Sequence, residues 1–421
     1  VLDDAGQHNK AISSYNEALK LNPNHPWIYN NRGNAYYHDS QYESALADYQ
    51  SVIELNPQDA QAYNNIAIIH SDLEQYDQAI SHYNKAIEFD PNYALTYSNR
   101  GATYHDMEKY DLALADYQKA IDLDPENADT YHNRALTYSK LKQYDKALAN
   151  YNKALEIAPQ FANVYHNRGL VYDDLGQYKK ALADYNQALK INPKNAKTYT
   201  NRGLLYTALQ EHEKALSDYN QALEIEPNFS ENYSNRGILY SSLGESDKAL
   251  ADFTQAISLD PENEDAYYNR GTQYNLLEQY DKALVDFDRA ITLNPQYKEA
   301  YINRGNAYRA LKKDDAALAD FNQALKIDPQ LEEGYLKRSG IYQDLKEYDL
   351  AIADLKQLIK LNPENAQTYT FVGLIYYELK DTDQFQKYFA QAAEIYKQQG
   401  NTEEYNKIQG LLQAFAQEQQ Q

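Results

Sequence analysis

The chain has 421 residues, with 62 acidic against 40 basic side chains, a net charge of −22 and no cysteine. That balance argues against a nucleic-acid binder, because phosphate recognition needs clustered cations. The absence of cysteine excludes disulfides, thiol catalysis and cysteine-ligated zinc, and no apolar run approaches the ~18 residues that would span a bilayer.

Residues 1–25 read as part of a helical pair that closes before Pro23. From Pro26 onward the pattern renews itself every 34 residues, and eleven of the 12 prolines, Pro23 to Pro363, keep that spacing without an insertion. Counted so that this proline is position thirty-two, ten units run from Pro26 to Asn365, a degenerate unit covers 366–399, and residues 400–421 follow. Within a unit, Tyr165, Gly169 and Tyr172 share one face of a first helix. Tyr178, Ala181, Tyr185, Ala188 and Leu189 then mark a second helix, which Pro193 ends because proline lacks the amide donor and clashes with the preceding turn. After Gly400, residues 401–413 predict a closing helix with Thr402 as N-cap and Tyr405, Ile408 and Leu412 on its apolar face. The glutamine-rich stretch Gln417 to Gln421 is expected to fray. The chain opens at Val1 inside a helical pattern, with neither methionine nor leader, as a piece of a longer or processed protein would. The compartment is unknown, with a soluble cytoplasmic chain favoured.

The fixed positions carry a resemblance. Position four is tyrosine in every unit from Tyr29 to Tyr369, position eleven is tyrosine except at His70, and position twenty is alanine from Ala11 to Ala351 before Phe385. Position eight is glycine or alanine in nearly every unit, position twenty-four is aromatic in nearly every unit, and proline sits at thirty-two. This pattern resembles the tetratricopeptide repeat, over nearly the whole chain. The resemblance implies an all-α fold: a right-handed superhelical solenoid of helix-turn-helix repeats, first helices on the concave wall, second helices on the convex one, and a C-terminal capping helix. Small residues at position eight let paired helices approach, and most of the 43 tyrosines fall on four repeated positions expected to be core.

Position seven departs from the family's usual aliphatic residue. It is arginine in nine units from Arg32 to Arg338, and the same nine carry aspartate at position twenty-three, with Asn150 once in its place. The proline-bearing unit with Ile66 at seven has His82 at twenty-three. The two positions change together, which predicts ion pairs tying first helix to second; an anion-binding stripe is the rival reading.

Position six is asparagine in nine consecutive units: Asn31, Asn65, Asn99, Asn133, Asn167, Asn201, Asn235, Asn269 and Asn303, then Lys337 and Phe371. A carboxamide complements a peptide's backbone amide and carbonyl, so a row of them could clasp an extended chain with limited regard for its sequence. The repeat array of O-linked N-acetylglucosamine transferase is similar here, and the resemblance implies an asparagine ladder gripping peptide backbone. Asparagine as the family's default at this position is the plainer alternative. Each neutral hydrogen bond nets only ~0.5–1.5 kcal/mol, while ordering a peptide residue costs ~1–2 kcal/mol. Side-chain pockets beside the ladder must therefore supply the affinity, which is expected to be micromolar.

Around the ladder, position nine is apolar in the middle units, at Leu136, Leu170, Leu204 and Ile238. Position two turns acidic at Glu231, Asp265, Glu299 and Glu333. An extended and basic partner with small apolar side chains would suit such a wall; acids that only keep the array soluble are the alternative. His105, His132 and His166 lie on successive first helices, with His132 and His166 expected to contact peptide. Stacked helices ~8–10 Å apart are too far apart for them to share a metal. At position thirty-four, polar residues (Asp59, Asn127, Asn195, Asn263) alternate with aromatics (Tyr93, Phe161, Phe229, Tyr297), reading as helix caps and as staples on the next helix.

No nucleophile–base pair, phosphate loop or metal cluster stands out, so neither catalytic residues nor a cofactor are expected. The sequence reads as a protein–protein interaction scaffold that binds an extended or disordered peptide in its groove. Two alternatives stay open: the substrate-recruiting arm of an enzyme whose catalytic domain lies elsewhere, and a structural scaffold that self-associates end to end.

Overall fold

A computed structural model describes residues 8–418; the opening seven residues and the last three glutamines, part of the stretch expected to fray, lie outside the described residues. The described chain folds into twenty-four α-helices, from α1 (His8–Leu21) to α24 (Thr402–Glu418), with no strand among the described residues. Each repeat supplies a first helix of 13 residues and, in all but the last, a second of 14, as α8 (Ala128–Lys140) and α9 (Tyr144–Ile157) illustrate.

The chain divides into two compact units, residues 1–209 and 210–421. In the first unit α8 packs on α9 of its own repeat and on the second helix of the repeat before, and this arrangement recurs within both units. First helices of successive repeats also touch: α4 (Ala60–Asp72) meets α6 (Ala94–Asp106) in the first unit, and α16 (Glu264–Leu276) meets α18 (Lys298–Ala310) in the second. First helices therefore form one wall of each unit.

The local chemistry explains the elements. Pro26 opens α2 (Pro26–His38) at a position where its missing amide hydrogen costs nothing. At the far end of a repeat, Asn56 adopts extended backbone (φ −138°, ψ 90°) ahead of Pro57, as the proline ring requires of its predecessor. Between paired helices the chain turns through a left-handed residue: Lys142 has φ 55°, its N–H bonds the carbonyl of Ser139 at 2.9 Å, and Gln143 N–H bonds that of Tyr138 at 2.8 Å. That pair of bonds is a Schellman closure. The same turn recurs through the array, with glycine only at Gly176 and Gly244 among the helix-pair turns.

Core clusters bridge neighbouring repeats. In the first unit Tyr131, Ala135, Ala147, Tyr151, Val164 and Val171 form one buried cluster from two successive repeats. Tyr185 at position twenty-four is fully buried, and a Cβ on Gly169 would lie 2.7 Å from its ring, so the small residue at position eight makes room for that aromatic. The tyrosines are not uniformly core, however. Those at position twenty-four are sealed, whereas Tyr178 at position seventeen is 42% exposed because it sits at the mouth of the turn.

The alternation at position thirty-four has a structural basis. The side chains of Asp59, Asn127, Asn195 and Asn263 accept from the amide three residues on, capping the next first helix. The aromatics make no such cap. Phe161 packs 5.2 Å from His132, and Tyr297 4.9 Å from Tyr268, ring centre to ring centre, so two of them lie back on the first helix of their own repeat as well as opening the next. At the C-terminus α24 covers the last hairpin through Ile408, which is buried against Phe385 and Phe389. Its N-cap is Asn401, whose side chain accepts from Glu404 N–H at 3.2 Å, rather than Thr402.

Candidate functional site: the wall of first helices

The arginine at position seven is a structural clamp. Arg168 donates from Nε and Nη2 to both carboxylate oxygens of Asp184, each at 2.7 Å, and from Nη1 to Asn152 Oδ1 of the preceding repeat at 2.6 Å. Its guanidinium lies 5.4 Å from the ring centre of Tyr165 and 5.9 Å from that of Tyr172. One side chain thus joins three helices while two tyrosines shield it, a site that suits a planar cation. The bidentate pair recurs at Arg32–Asp48, Arg100–Asp116, Arg236–Asp252, Arg270–Asp286, Arg304–Asp320 and Arg338–Asp354. The aspartates are buried, so this row is not an anion-binding stripe.

Two repeats show what the clamp depends on. Arg134 faces neutral Asn150 (2.8 Å), and burial holds its pKa below the usual arginine value. Burial also acts to lower Arg304, but Asp320 and Asp288 outweigh it and the pKa is raised. In the second repeat, Ile66 and His82 replace the pair, and His82 stacks on His70 with ring centres 5.4 Å apart. The exception at position eleven, His70, therefore belongs with the other two: three substitutions exchange an ionic clamp for a stacked one. Burial pushes His82 down to about 4, keeping that ring neutral.

The ladder asparagines stand in register, and the structure shows what several of them already hold. Asn65 Nδ2 donates to Asn30 Oδ1 at 3.2 Å, Asn99 to Asn64 Oδ1 at 3.1 Å, Asn167 to His132 Nε2 at 2.9 Å and Asn303 to Tyr268 Oη at 2.9 Å. In each case the partner is the position-five residue of the preceding repeat, a role the sequence did not reveal because it lies 35 residues away. Asn31 instead bonds the carbonyl of Trp27 in its own helix. Among the described residues, Asn133, Asn201 and Asn269 form no side-chain hydrogen bond, and the amide nitrogen of Asn235 is buried without a partner. Part of the ladder is therefore engaged inside the array: Asn65 also donates to Asn34 Oδ1 at 3.4 Å and accepts from Asn64, and Asn303 also donates to Thr272 Oγ1 at 3.4 Å, whereas Asn99 and Asn167 each keep one N–H and the amide oxygen for another partner.

The histidines are drawn into the same cross-repeat contacts. His132 accepts from Asn167 and packs against Phe161, and burial lowers its pKa to about 4. His166 Nδ1 lies 2.8 Å from Thr198 Oγ1 and is likewise lowered to about 4 by burial. His105 Nδ1 meets Thr137 Oγ1 at 2.8 Å; because that hydroxyl already donates to the carbonyl of Asn133, the histidine is the donor. No group of three metal-binding side chains is assembled among the described residues.

Beside the ladder, Leu136 and Leu170 are half-buried, whereas Leu204 and Ile238 are 40% and 45% exposed. Glu231, Asp265, Glu299 and Glu333 are exposed on the second unit. Asp265 accepts from Tyr297 Oη at 2.7 Å, and Lys337 lies 3.9 Å from Glu333. Trp27 is 62% exposed and meets Tyr15 edge-on. No described helix is long and apolar enough to cross a membrane.

Known proteins place this architecture. The tetratricopeptide repeat matches residues 25–194 in four overlapping spans, 196–331 in four more and 332–399 in two, and a further TPR repeat match covers 4–40. No curated protein matches the chain. Similar solved structures include yeast Tom70, at 17% identity over 94% of this chain and 96% of that one (TM-score 0.44). YrrB, described as a TPR protein with an unusual peptide-binding site, is 32% identical over 44% of this chain and 95% of its own (TM-score 0.38). A tetratricopeptide repeat protein from Parabacteroides merdae is 24% identical over 59% and 98%, respectively (TM-score 0.47). Matched unit by unit over nearly its whole length, the chain belongs to the tetratricopeptide repeat family, whose arrays typically serve as non-catalytic scaffolds for protein–protein interaction.

Proposed function

We propose that the protein binds an extended or disordered segment of a partner protein along its walls of first helices, through the ladder asparagines and the side chains beside them. One observation carries this reading. The carboxamides recur at a single register with polar capacity left over, and exposed Leu204 and Ile238 stand three residues along the same helices. A row of amides offers main-chain recognition at regular intervals, and apolar groups kept in water beside it supply the area that hydrogen bonds alone do not. The acids at position two favour a basic segment.

The test separates ladder from scaffold. Asn133, Asn201 and Asn269 make no bond that the array needs, so changing all three to alanine removes ligand-facing groups and leaves the packing alone. Affinity capture from native lysate with wild-type chain should retain proteins that the triple variant loses, and a captured segment should bind the variant at least ~10-fold more weakly, the equivalent of one or two lost hydrogen bonds. Circular dichroism and melting should be unchanged. Identical capture by both proteins would remove the ladder from function.

A further inference from the structure

We propose that the last hairpin of the second unit carries an anchor site for one bulky apolar side chain, next to a site for a lysine or arginine, on the same partner segment. This deepens the peptide-binding reading and rests on it.

Along the wall of first helices the ladder ends at Asn303: position six becomes Lys337 on α20 (Glu332–Asp344) and Phe371 on α22 (Ala366–Glu378). Two cavities take its place. One, of about 250 Å³, lies between α22, α23 (Thr382–Gln398) and α24, and its lining is mostly apolar, with Leu374, Tyr377, Phe385, Phe389, Leu411 and Phe415. Phe385 and Phe389 form a sealed floor, while Leu374, Tyr377 and Leu411 are 46%, 46% and 51% exposed at the rim. Phe415 closes one side, 4.5 Å from Phe385 and 5.8 Å from Tyr377 between ring centres. The volume falls short of the ~300–1,000 Å³ usual for a small-molecule site, and the Tyr377 hydroxyl is the single polar side-chain group in its lining. The cavity suits a single large side chain.

The neighbouring cavity, about 390 Å³, has Glu332, Glu333, Leu336, Lys337 and Phe371 in its lining, with uncharged polar groups of α22. Both glutamates are exposed, and Lys337 beside Glu333 offsets only one of the two charges. Phe371 and Leu374 are one turn apart on α22, so the two cavities flank the same helix, one against α20 and the other against α24. This juxtaposition of an apolar socket and a net-negative one decides the occupant. A second copy of a chain bearing −22 would bring like charge to this face, whereas a basic protein segment complements it. Helices packed ~8–10 Å apart and an extended rise of ~3.3 Å per residue place the basic and bulky residues about three positions apart.

The experiment uses the full chain and a random dodecapeptide library displayed on phage. Selected peptides should carry Phe, Leu or Trp within about three residues of Lys or Arg. Synthesised and labelled, they should bind less tightly as salt rises and lose at least ~10-fold on Phe→Ala, as expected for one buried aromatic. They should lose as much against Leu374→Glu/Leu411→Glu, whose altered positions are about half exposed and tolerate charge; the Phe→Ala peptide tests the socket without altering the protein. Peptides that bind this variant as well as wild type, yet weaken against Asn133→Ala/Asn201→Ala/Asn269→Ala, would overturn the anchor and leave the ladder standing. Failure to enrich any peptide, or indifference to both variants, would overturn both. If the charged variant instead abolishes a concentration-dependent dimer, the face belongs to a second copy and the anchor is wrong.

Discussion

At the scale of single residues, the arginine clamp is where charge, burial and packing meet. A bidentate guanidinium–carboxylate pair with side chains under 20% exposed is a buried ion pair, and removing one partner strands the other. Arg168→Ile should therefore cost ~3–5 kcal/mol by leaving Asp184 unpaired. The protein has already solved this problem once, with Ile66 and His82. Adding Asp184→His and Tyr172→His to Arg168→Ile rebuilds the stacked clamp in the fifth repeat and should recover ~1–3 kcal/mol through coupling. Urea unfolding of the single and triple variants checks it; a triple variant no more stable than the single would mean that the second repeat's exchange depends on neighbours other than these three.

At the scale of the helix pair, the turn is held by hydrogen bonding rather than by its residue's own preference. Lys142 occupies left-handed backbone that disfavours a side chain, yet the Schellman bonds fix it there. Its side chain is exposed, so Lys142→Gly relieves the conformational cost without removing a contact. A gain of ~0.5–1 kcal/mol is expected, read as a higher urea midpoint, whereas Gly176→Ala should move the same measurement the other way. A fall on introducing glycine would show that unfolded-chain entropy outweighs the strain. The first helices were legible in sequence as elements, but the contacts of their position-five residues were not, since each reaches a partner one repeat along.

At the scale of the whole molecule, acid sensitivity is unevenly distributed. His82, His132 and His166 are held to about 4 by burial, below an ordinary histidine near 6.5, and all three lie in the first unit. The unfolded chain takes up more protons than the folded one between those values, so stability contributed by the neutral rings is full above pH 6.5 and declines as pH falls towards 4. Melting of the first unit should weaken over that window, followed by hydrogen exchange at pH 7, 5.5 and 4.5. His132→Gln/His166→Gln should flatten the loss; an unchanged pH slope in that variant would assign the loss to other groups.

The repeat period, the helix pairs, the arginine–aspartate coupling and the asparagine row were all determined by the sequence alone, because each recurs at fixed spacing and local periodicity dictates which face a residue occupies. Tertiary structure alone decided how those faces are used. It set which ladder amides are already engaged, drew the histidines into neighbouring repeats, and opened the socket of Leu374, Leu411 and Phe415 where the register ends. These outcomes depend on side chains from helices a full repeat or more apart meeting at hydrogen-bonding or van der Waals distance, and a one-dimensional pattern does not contain that distance.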